Sequence, residues 1–245
     1  MADATLAKSF LNAGEDYDRF RPGFPEEAAD AVVPTPVATA LDLGAGTGKF
    51  TERLIGRASH VVAVEPSQQM LAVLRAKLPD VEAHIGTAES IPASDQSVDV
   101  VTVAQAFHWF DREPACAEIR RVLVPGGTLG LLWNRADPQC SWDRACSRIA
   151  HPWLSDEMPV SNAAQDELRG FTMATHREVP WQERITRADY VARWLTVSSF
   201  MAASDAERER MVGEVERILD TDPATAGRDE LDLPQITDLY VYRAD

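Results

Sequence analysis

Between residues 39 and 135 the chain alternates between short continuous apolar runs and segments whose apolar residues recur at helical spacing. An unbroken run of a few aliphatic residues is what a strand buried on both faces requires. On that basis "TALDLG" (39–44), "HVVAVE" (60–65), "VEAHIG" (81–86), "SVDVVTVAQ" (97–105) and "PGGTLGLLWN" (125–134) read as five strands, the last entered through a turn. Between them, "KFTERLIGRA" (49–58) carries Phe50, Leu54 and Ile55 at helical spacing. "SQQMLAVLRAKL" (67–78) gathers Met70, Leu71, Leu74 and Leu78 on one face, with Ser67 as its N-cap. "DREPACAEIRRVL" (111–123) reads as a further helix with Asp111 at its cap. Parallel strands need crossovers, and helices between buried strands supply them. The pattern predicts an open, doubly wound α/β sheet.

After Trp133 the pattern loosens. An amphipathic piece is expected around 141–150, a strand at 170–181, helices at about 187–197 and 205–219, and a closing strand "QITDLYVYRA" at 235–244. The polar stretch 220–234 reads as a surface loop. In the second of those helices Met211, Val215, Ile218 and Leu219 share one side and the charges face solvent.

Composition narrows the function classes. The 245 residues suffice for one sizeable α/β domain, and 45% hydrophobic with 26% charged residues is ordinary for a globular chain. Lys+Arg 24 against Asp+Glu 39 gives a formal charge of −15, which disfavours nucleic acid or an anionic membrane as partner. No apolar stretch approaches the roughly 18 residues of a membrane span, and the N-terminus lacks a cationic start followed by an apolar core, so no secretory signal is read. Cys116, Cys140 and Cys146 form no CxxC and read as reduced thiols, and the five histidines show no HxxxH or HExxH spacing, so no metal site is expected. A cytoplasmic protein acting on a small molecule, as a monomer or homodimer, is the resulting expectation.

The strongest local signal is "LDLGAGTGKF" (41–50). Gly44, Gly46 and Gly48 follow a strand and precede a helix, so backbone there can approach a ligand without a Cβ in the way. Lys49 stands where a dinucleotide fingerprint would carry its third glycine. Glu65 ends the next strand, 17 residues after Gly48, where a carboxylate can accept both hydroxyls of a ribose. Its alternative reading is an exposed carboxylate capping the following helix.

In the order "LDLGAGTGKF", "VVAVEPSQQML", "GTAESIP", "VDVVTVAQAFHWFD", "RRVLVPGGTLGLLW", the chain resembles a class I S-adenosylmethionine-dependent methyltransferase. The branch it most resembles is the type-eleven methyltransferase domain, which includes trans-aconitate methyltransferase-like proteins. The resemblance covers about residues 10–135. It implies a Rossmann-like, mostly parallel seven-stranded sheet with one antiparallel strand near the edge, a place that "QITDLYVYRA" fits. It also implies S-adenosyl-L-methionine as cofactor, with Gly44, Ala45, Gly46 and Gly48 around the methionine moiety and Asp42 near its amino group. Glu65 would hold the ribose hydroxyls, Pro66 and Ser67 would flank the adenine, and Thr87, Ala88 and Glu89 would meet its edge. Many members carry Asp after the glycine of that third motif, whereas this chain runs Gly86-Thr87-Ala88-Glu89. The organisation implied is a single domain over 1–245, with a cap segment at 1–36, a cofactor-binding core at 37–135, and a helical lid or insertion with closing strands at 136–245.

In open α/β sheets ligands sit outside the carboxyl ends of the strands, which directs Gln105, His108 and Trp109 of "AQAFHWFD" toward the donor methyl. His108 is the candidate base or acceptor-positioning residue; the competing reading is a loop-ordering hydrogen bond. Tyr17 and Arg21 in "AGEDYDRFRPGFP" are candidates for a carboxylate, of the cofactor or of the acceptor, against a solvated loop in which Arg19 and Arg21 pair with Glu15, Asp16 and Asp18. Trp194 and Ser198, one helical turn apart, are candidate pocket residues, as are Trp142, Trp153 and Ser199; the competing reading is core. The favoured activity is methylation of a small molecule on oxygen, a carboxylate. Two other readings remain open at this point: an NAD(P)-dependent oxidoreductase, and a non-catalytic S-adenosylmethionine-binding protein.

Overall fold

The computed structural model describes residues 15–152 and 167–245. The secretory-signal reading of the N-terminus and the candidate Trp153 lie outside the described residues. Seven strands form one sheet: β1 (Val37–Leu43), β2 (Ala58–Glu65), β3 (Glu82–Ile85), β4 (Val98–Ala104), β5 (Leu123–Ala136), β6 (Phe171–Thr186) and β7 (Glu230–Ala244), in spatial order β3-β2-β1-β4-β5-β7-β6. β1 through β5 pair in parallel, and β7 runs antiparallel between β5 and β6. The order reverses direction at β1 and β4, and a ligand crevice is expected at that switch point.

Helices α1 (Glu15–Phe20), α2 (Glu26–Val32), α3 (Thr51–Leu54), α4 (Gln68–Lys77) and α5 (Arg112–Val122) accompany the parallel strands. Alternate strand residues divide between two cores because side chains alternate across a sheet. Leu41, Leu43, Val101 and Val103 pack with Ala115, Ile119 and Val122 of α5 on one face. Ala40, Val61, Ala63 and Val100 pack with Ala28, Val32, Leu54 and Leu71 on the other. Ser67 caps α4 by accepting from the Met70 amide at 3.3 Å, as its position after a strand end predicts.

Beyond the parallel part stand α6 (Ser141–Ala150), α7 (Arg187–Leu195), α8 (Ser198–Ala202) and α9 (Asp205–Thr221). They share a third core with Ile185 of β6 and Leu231 and Leu233 of β7. The β5–β7 ladder ends at Ala136↔Gln235, whereas β6 and β7 pair on to Thr186↔Glu230. That two-stranded extension carries the helical layer over the strand ends. No helix among the described residues is long and apolar enough to cross a membrane.

Four sequence expectations are corrected. The helix expected over 49–58 is confined to α3, and Ile55 lies exposed on the way into β2. Residues 230–234 are strand rather than loop: Leu231 and Leu233 alternate inward beneath α9 while their acidic neighbours face out. The helix expected over 187–197 ends at Leu195, and the Thr196 hydroxyl turns back to donate to the Arg193 carbonyl at 2.7 Å. Ser198 therefore opens a separate helix, and the one-turn relation to Trp194 does not hold. Finally, Arg19 pairs with Asp189 at 3.0 Å and Asp18 with Lys77 at 2.7 Å, so these two bridge to distant elements rather than to each other.

Candidate active site

The carboxyl ends of β1 to β5 open into one cavity of about 960 Å³, closed on its far side by α6, α7 and the segment following α1. Its floor begins at the glycine loop. The Gly44 and Ala45 amides both donate to the Val64 carbonyl, at 2.8 and 3.1 Å, tying the loop to β2. Gly44 has φ +70°, and a Cβ there would lie 2.7 Å from the Ala106 Cβ. The turn brings the Gly46 amide to Glu65 Oε2 at 2.9 Å, and the Ser67 amide reaches Oε1 at 2.9 Å. Glu65 is 6% exposed and lines the cavity, so the exposed-cap alternative fails on burial. Desolvation pushes its pKa up, and the two amides oppose that rise by favouring the carboxylate. Each oxygen keeps a lone pair for a ligand hydroxyl.

Asp42 lies beneath the loop, buried, accepting from Thr51 Oγ1 at 2.6 Å and Thr102 Oγ1 at 2.8 Å. Burial pushes its pKa up to about 6, with the two threonines holding it down and Glu65 adding repulsion. A folded-state pKa above the unfolded one means the native state takes up the proton first. Stability of the native protein relative to Asp42→Asn is therefore expected to fall as pH rises from about 4 to about 6, then level off. Thermal melts of both proteins across that range check this; a difference independent of pH would show that Asp42 carries the same charge folded and unfolded.

The ends of β3 and β4 add the next wall. Thr87, Ala88 and Glu89 line the cavity with Pro66, and Glu89 Oε1 accepts from the Asp111 amide at 2.9 Å. Gln105 has φ +58°, an uncommon conformation for a non-glycine residue and one that costs free energy. It is fixed there by its amide to the Leu132 carbonyl, 2.8 Å, and by Nε2 to the Asn134 carbonyl, 3.0 Å. His108 and Trp109 follow in a single 3-10 turn, Phe107–Trp109, with their rings 4.7 Å apart. Both are exposed at the cavity wall, and desolvation lowers the His108 pKa, which keeps the imidazole neutral and able to accept a proton at neutral pH.

The opposite wall came from residues the sequence did not single out. Asn134 Nδ2 donates to the Gly23 carbonyl at 2.7 Å while its Oδ1 accepts from Thr237 Oγ1 at 2.6 Å, joining the N-terminal segment to β5 and β7. Arg193 grips Glu183 and donates through Nε to the Phe20 carbonyl at 2.6 Å. Buried Asp143 accepts from the Tyr190 hydroxyl at 2.6 Å, and Tyr190 sits edge-on to Trp142 and Trp194. Of the predicted acceptor residues, Arg21, Trp109 and Trp194 line the cavity. Arg21 donates to the Thr196 carbonyl at 3.2 Å. Tyr17 lies in α1 and Ser198 at the start of α8. Trp142 is core, and Cys116, Cys140 and Cys146 are buried free thiols.

A glycine loop whose backbone lines the cavity beside a buried, twofold-anchored carboxylate suits a ligand that bears a ribose and a small polar chain, such as an adenosyl cofactor. Comparison with known proteins gives that ligand a family. The model of the methyltransferase domain matches residues 41–131, the stretch from β1 to β5. An uncharacterized methyltransferase of Mycobacterium tuberculosis is 40% identical over 232 residues, covering 95% of this chain and 94% of its own. Shorter matches include a malonyl-[acyl-carrier protein] O-methyltransferase of Methylococcus capsulatus, 39% identical over 56% of this chain and 53% of its own. A trans-aconitate 2-methyltransferase of Variovorax paradoxus is 33% identical over 59% of this chain and 56% of its own. Among solved structures, a protein of Anaeromyxobacter dehalogenans described as a type II methyltransferase superposes with a TM-score of 0.69 at 25% identity, over 92% of this chain and 97% of its own. With the glycine loop, the anchored Glu65 and a full-length relative in agreement, the chain belongs to the methyltransferase family as a Rossmann-like enzyme whose methyl donor is S-adenosylmethionine.

Proposed function

We propose that the enzyme methylates a carboxylate oxygen of a small anionic molecule, the whole chain acting as one unit. The observation that carries this is a concentration of arginines around the cavity. The protein bears −15 overall, yet Arg21, Lys49, Arg135, Arg144, Arg148 and Arg193 line the cavity against four acids, Asp42, Glu65, Glu89 and Asp143. Three of those acids belong to the glycine-loop half, and Asp143 is sealed by Tyr190. Lys49, Arg135 and Arg193 also face Asp18, Glu178 and Glu183, so the net charge there is small, and what favours an anion is the set of guanidinium donors on the acceptor side. The names of the two shorter relatives, one an O-methyltransferase and one acting on trans-aconitate, agree with it.

When bound, the cofactor supplies an electrophilic methyl group. Glu65 would hold its ribose hydroxyls, the Gly44–Gly48 backbone and Asp42 its methionine end, and Thr87 to Glu89 its adenine edge. The protein's remaining task is to bring an oxygen into line with that methyl and exclude water, and alignment of this kind accounts for much of such a rate enhancement. A carboxylate arrives deprotonated, so no base is required; His108, neutral and exposed beside Trp109, then positions the acceptor. Purified enzyme with methyl-labelled S-adenosylmethionine and a fractionated cell extract is expected to label small molecules, and mild base is expected to release that label as from an ester. Label confined to macromolecules would overturn the reading. His108→Ala is expected to lower turnover while leaving cofactor affinity within several-fold, roughly the loss of one acceptor contact. Unchanged turnover would remove His108 from the reaction.

A further inference from the structure

One face of β7 is apolar except over a short stretch. Leu231 and Leu233 are buried beneath the helical layer, Leu239 and Val241 in a core of the sheet, and between them the same face carries Gln235 and Thr237. Thr237 donates its hydroxyl to Asn134 Oδ1 at 2.6 Å, whereas the side-chain amide of Gln235 has no hydrogen-bond partner among the described residues. Gln235 is 7% exposed and lines the active-site cavity, its backbone paired with Ala136 of β5 and Trp181 of β6. Its amide atoms are not sealed within the protein as the indole nitrogen of Trp181 is, so they open on the cavity. The other amides of this wall, Gln105 and Asn134, are both bonded, and a buried amide left without a partner costs free energy. In the sheet β7 stands three strands from β1, about 14 Å at the usual spacing. The amide therefore lies away from the glycine loop, on the acceptor side.

We propose that Gln235 is a specificity-determining residue for the methyl acceptor, its carboxamide bonding a neutral group of the substrate that both donates and accepts, a hydroxyl or a carboxamide. This rests on the carboxylate reading above and extends it: the substrate carries a reacting carboxylate and, apart from it, an uncharged polar group. Whichever way the amide is turned, it presents a donor end and an acceptor end. A second carboxylate or a phosphate would use the Nε2 donors and leave Oε1 facing its negative charge. A methyl group would satisfy neither end and strand both in a desolvated wall. A hydroxyl or carboxamide satisfies the two together. A site built around such a group discriminates chiefly through the unpaired donor and acceptor that a wrong substrate leaves behind.

Calorimetric titration of the enzyme preloaded with S-adenosylhomocysteine tests this with two sets of small acids. Malonamate, succinamate and glutaramate are each compared with the branched hydrocarbon acid of the same shape and with the diacid of the same length. Likewise 3-hydroxypropionate and 4-hydroxybutyrate are compared with butyrate and valerate. The native protein is expected to bind at least one amide or hydroxy acid about 10-fold more tightly than its hydrocarbon counterpart, and no diacid more tightly than its amide. Gln235→Met keeps the length of the side chain and loses the amide. In that variant the preference is expected to vanish while S-adenosylhomocysteine affinity is unchanged and the melting temperature holds or rises by a few degrees, because no bond within the protein is lost. A role in the fold alone predicts the reverse, a lower melting temperature with ligand preference untouched. Equal binding across each comparison, a preference for the diacid, or a preference that survives in Gln235→Met would overturn the assignment. A preference that Gln235→Met abolishes, without formation of base-labile ester by the native enzyme, would uphold it and remove the carboxylate-methylation reading, so the two fail separately.

Discussion

Glu65→Ala is expected to weaken binding of S-adenosylhomocysteine about 100-fold, with Glu65→Gln losing about 10-fold, measured by calorimetry. The native carboxylate is anchored by the Gly46 and Ser67 amides, 2.9 Å each, and presents its remaining lone pairs to the cavity. Two hydrogen bonds from ribose hydroxyls to a charged acceptor contribute about 3 kcal/mol together, which is the predicted loss. Fold stability is expected to change far less, because removing a desolvated charge offsets the two amides left without it. The separation of these effects decides between ligand holding and loop anchoring. A variant that melts several degrees lower but binds normally would assign Glu65 to the loop alone. Burial also raises the Glu65 pKa, so native affinity is expected to decline on acidification earlier than an ordinary carboxylate would allow.

What could be read from the sequence was local. A strand, a glycine turn, a capped helix and a terminal acid are contiguous, and each obeys a rule of geometry that needs no distant partner, so Gly44, Glu65 and Ser67 were recognisable. The acceptor half was not, because it is assembled from segments separated by tens of residues. Asn134 gains its role only when β5 meets Gly23 and Thr237, and Asp143 only when α6 meets Tyr190. Residues 141–150 read only as an amphipathic piece, and it is the β6–β7 extension that carries α6 over the cavity. That extension was itself obscured. "ELDLP" carries just two inward residues, Leu231 and Leu233, among acids, and Pro234 reads as a breaker although it lies just past the last residue paired with β5. The Trp194–Ser198 pairing failed for a related reason: a helix periodicity extended two residues too far places the next residue on the wrong element.

Gly44→Ala is expected to lower the melting temperature by roughly 5 to 10 °C and to reduce S-adenosylhomocysteine affinity by about 100-fold or more. Two costs combine. The left-handed φ of +70° costs an alanine about 1 kcal/mol, and its Cβ would lie 2.7 Å from Ala106 Cβ with the Phe110 ring 3.4 Å away. Neither neighbour is the far end of a flexible side chain, so the loop itself must move. Movement strains the Gly44 and Ala45 bonds to the Val64 carbonyl and withdraws the Gly46 amide from Glu65, which couples packing to the donor site. Gly56 separates the two costs: its φ is +83°, but a Cβ there meets nothing within 4 Å. Gly56→Ala is therefore expected to show the backbone cost alone, a fall of a few degrees with affinity intact. Ala106→Gly added to Gly44→Ala removes the clash and is expected to restore most of the affinity and about half of the stability, leaving the backbone term. If Gly44→Ala behaved like Gly56→Ala, the requirement for glycine would lie in the turn and not in the approach of the loop to β4's end.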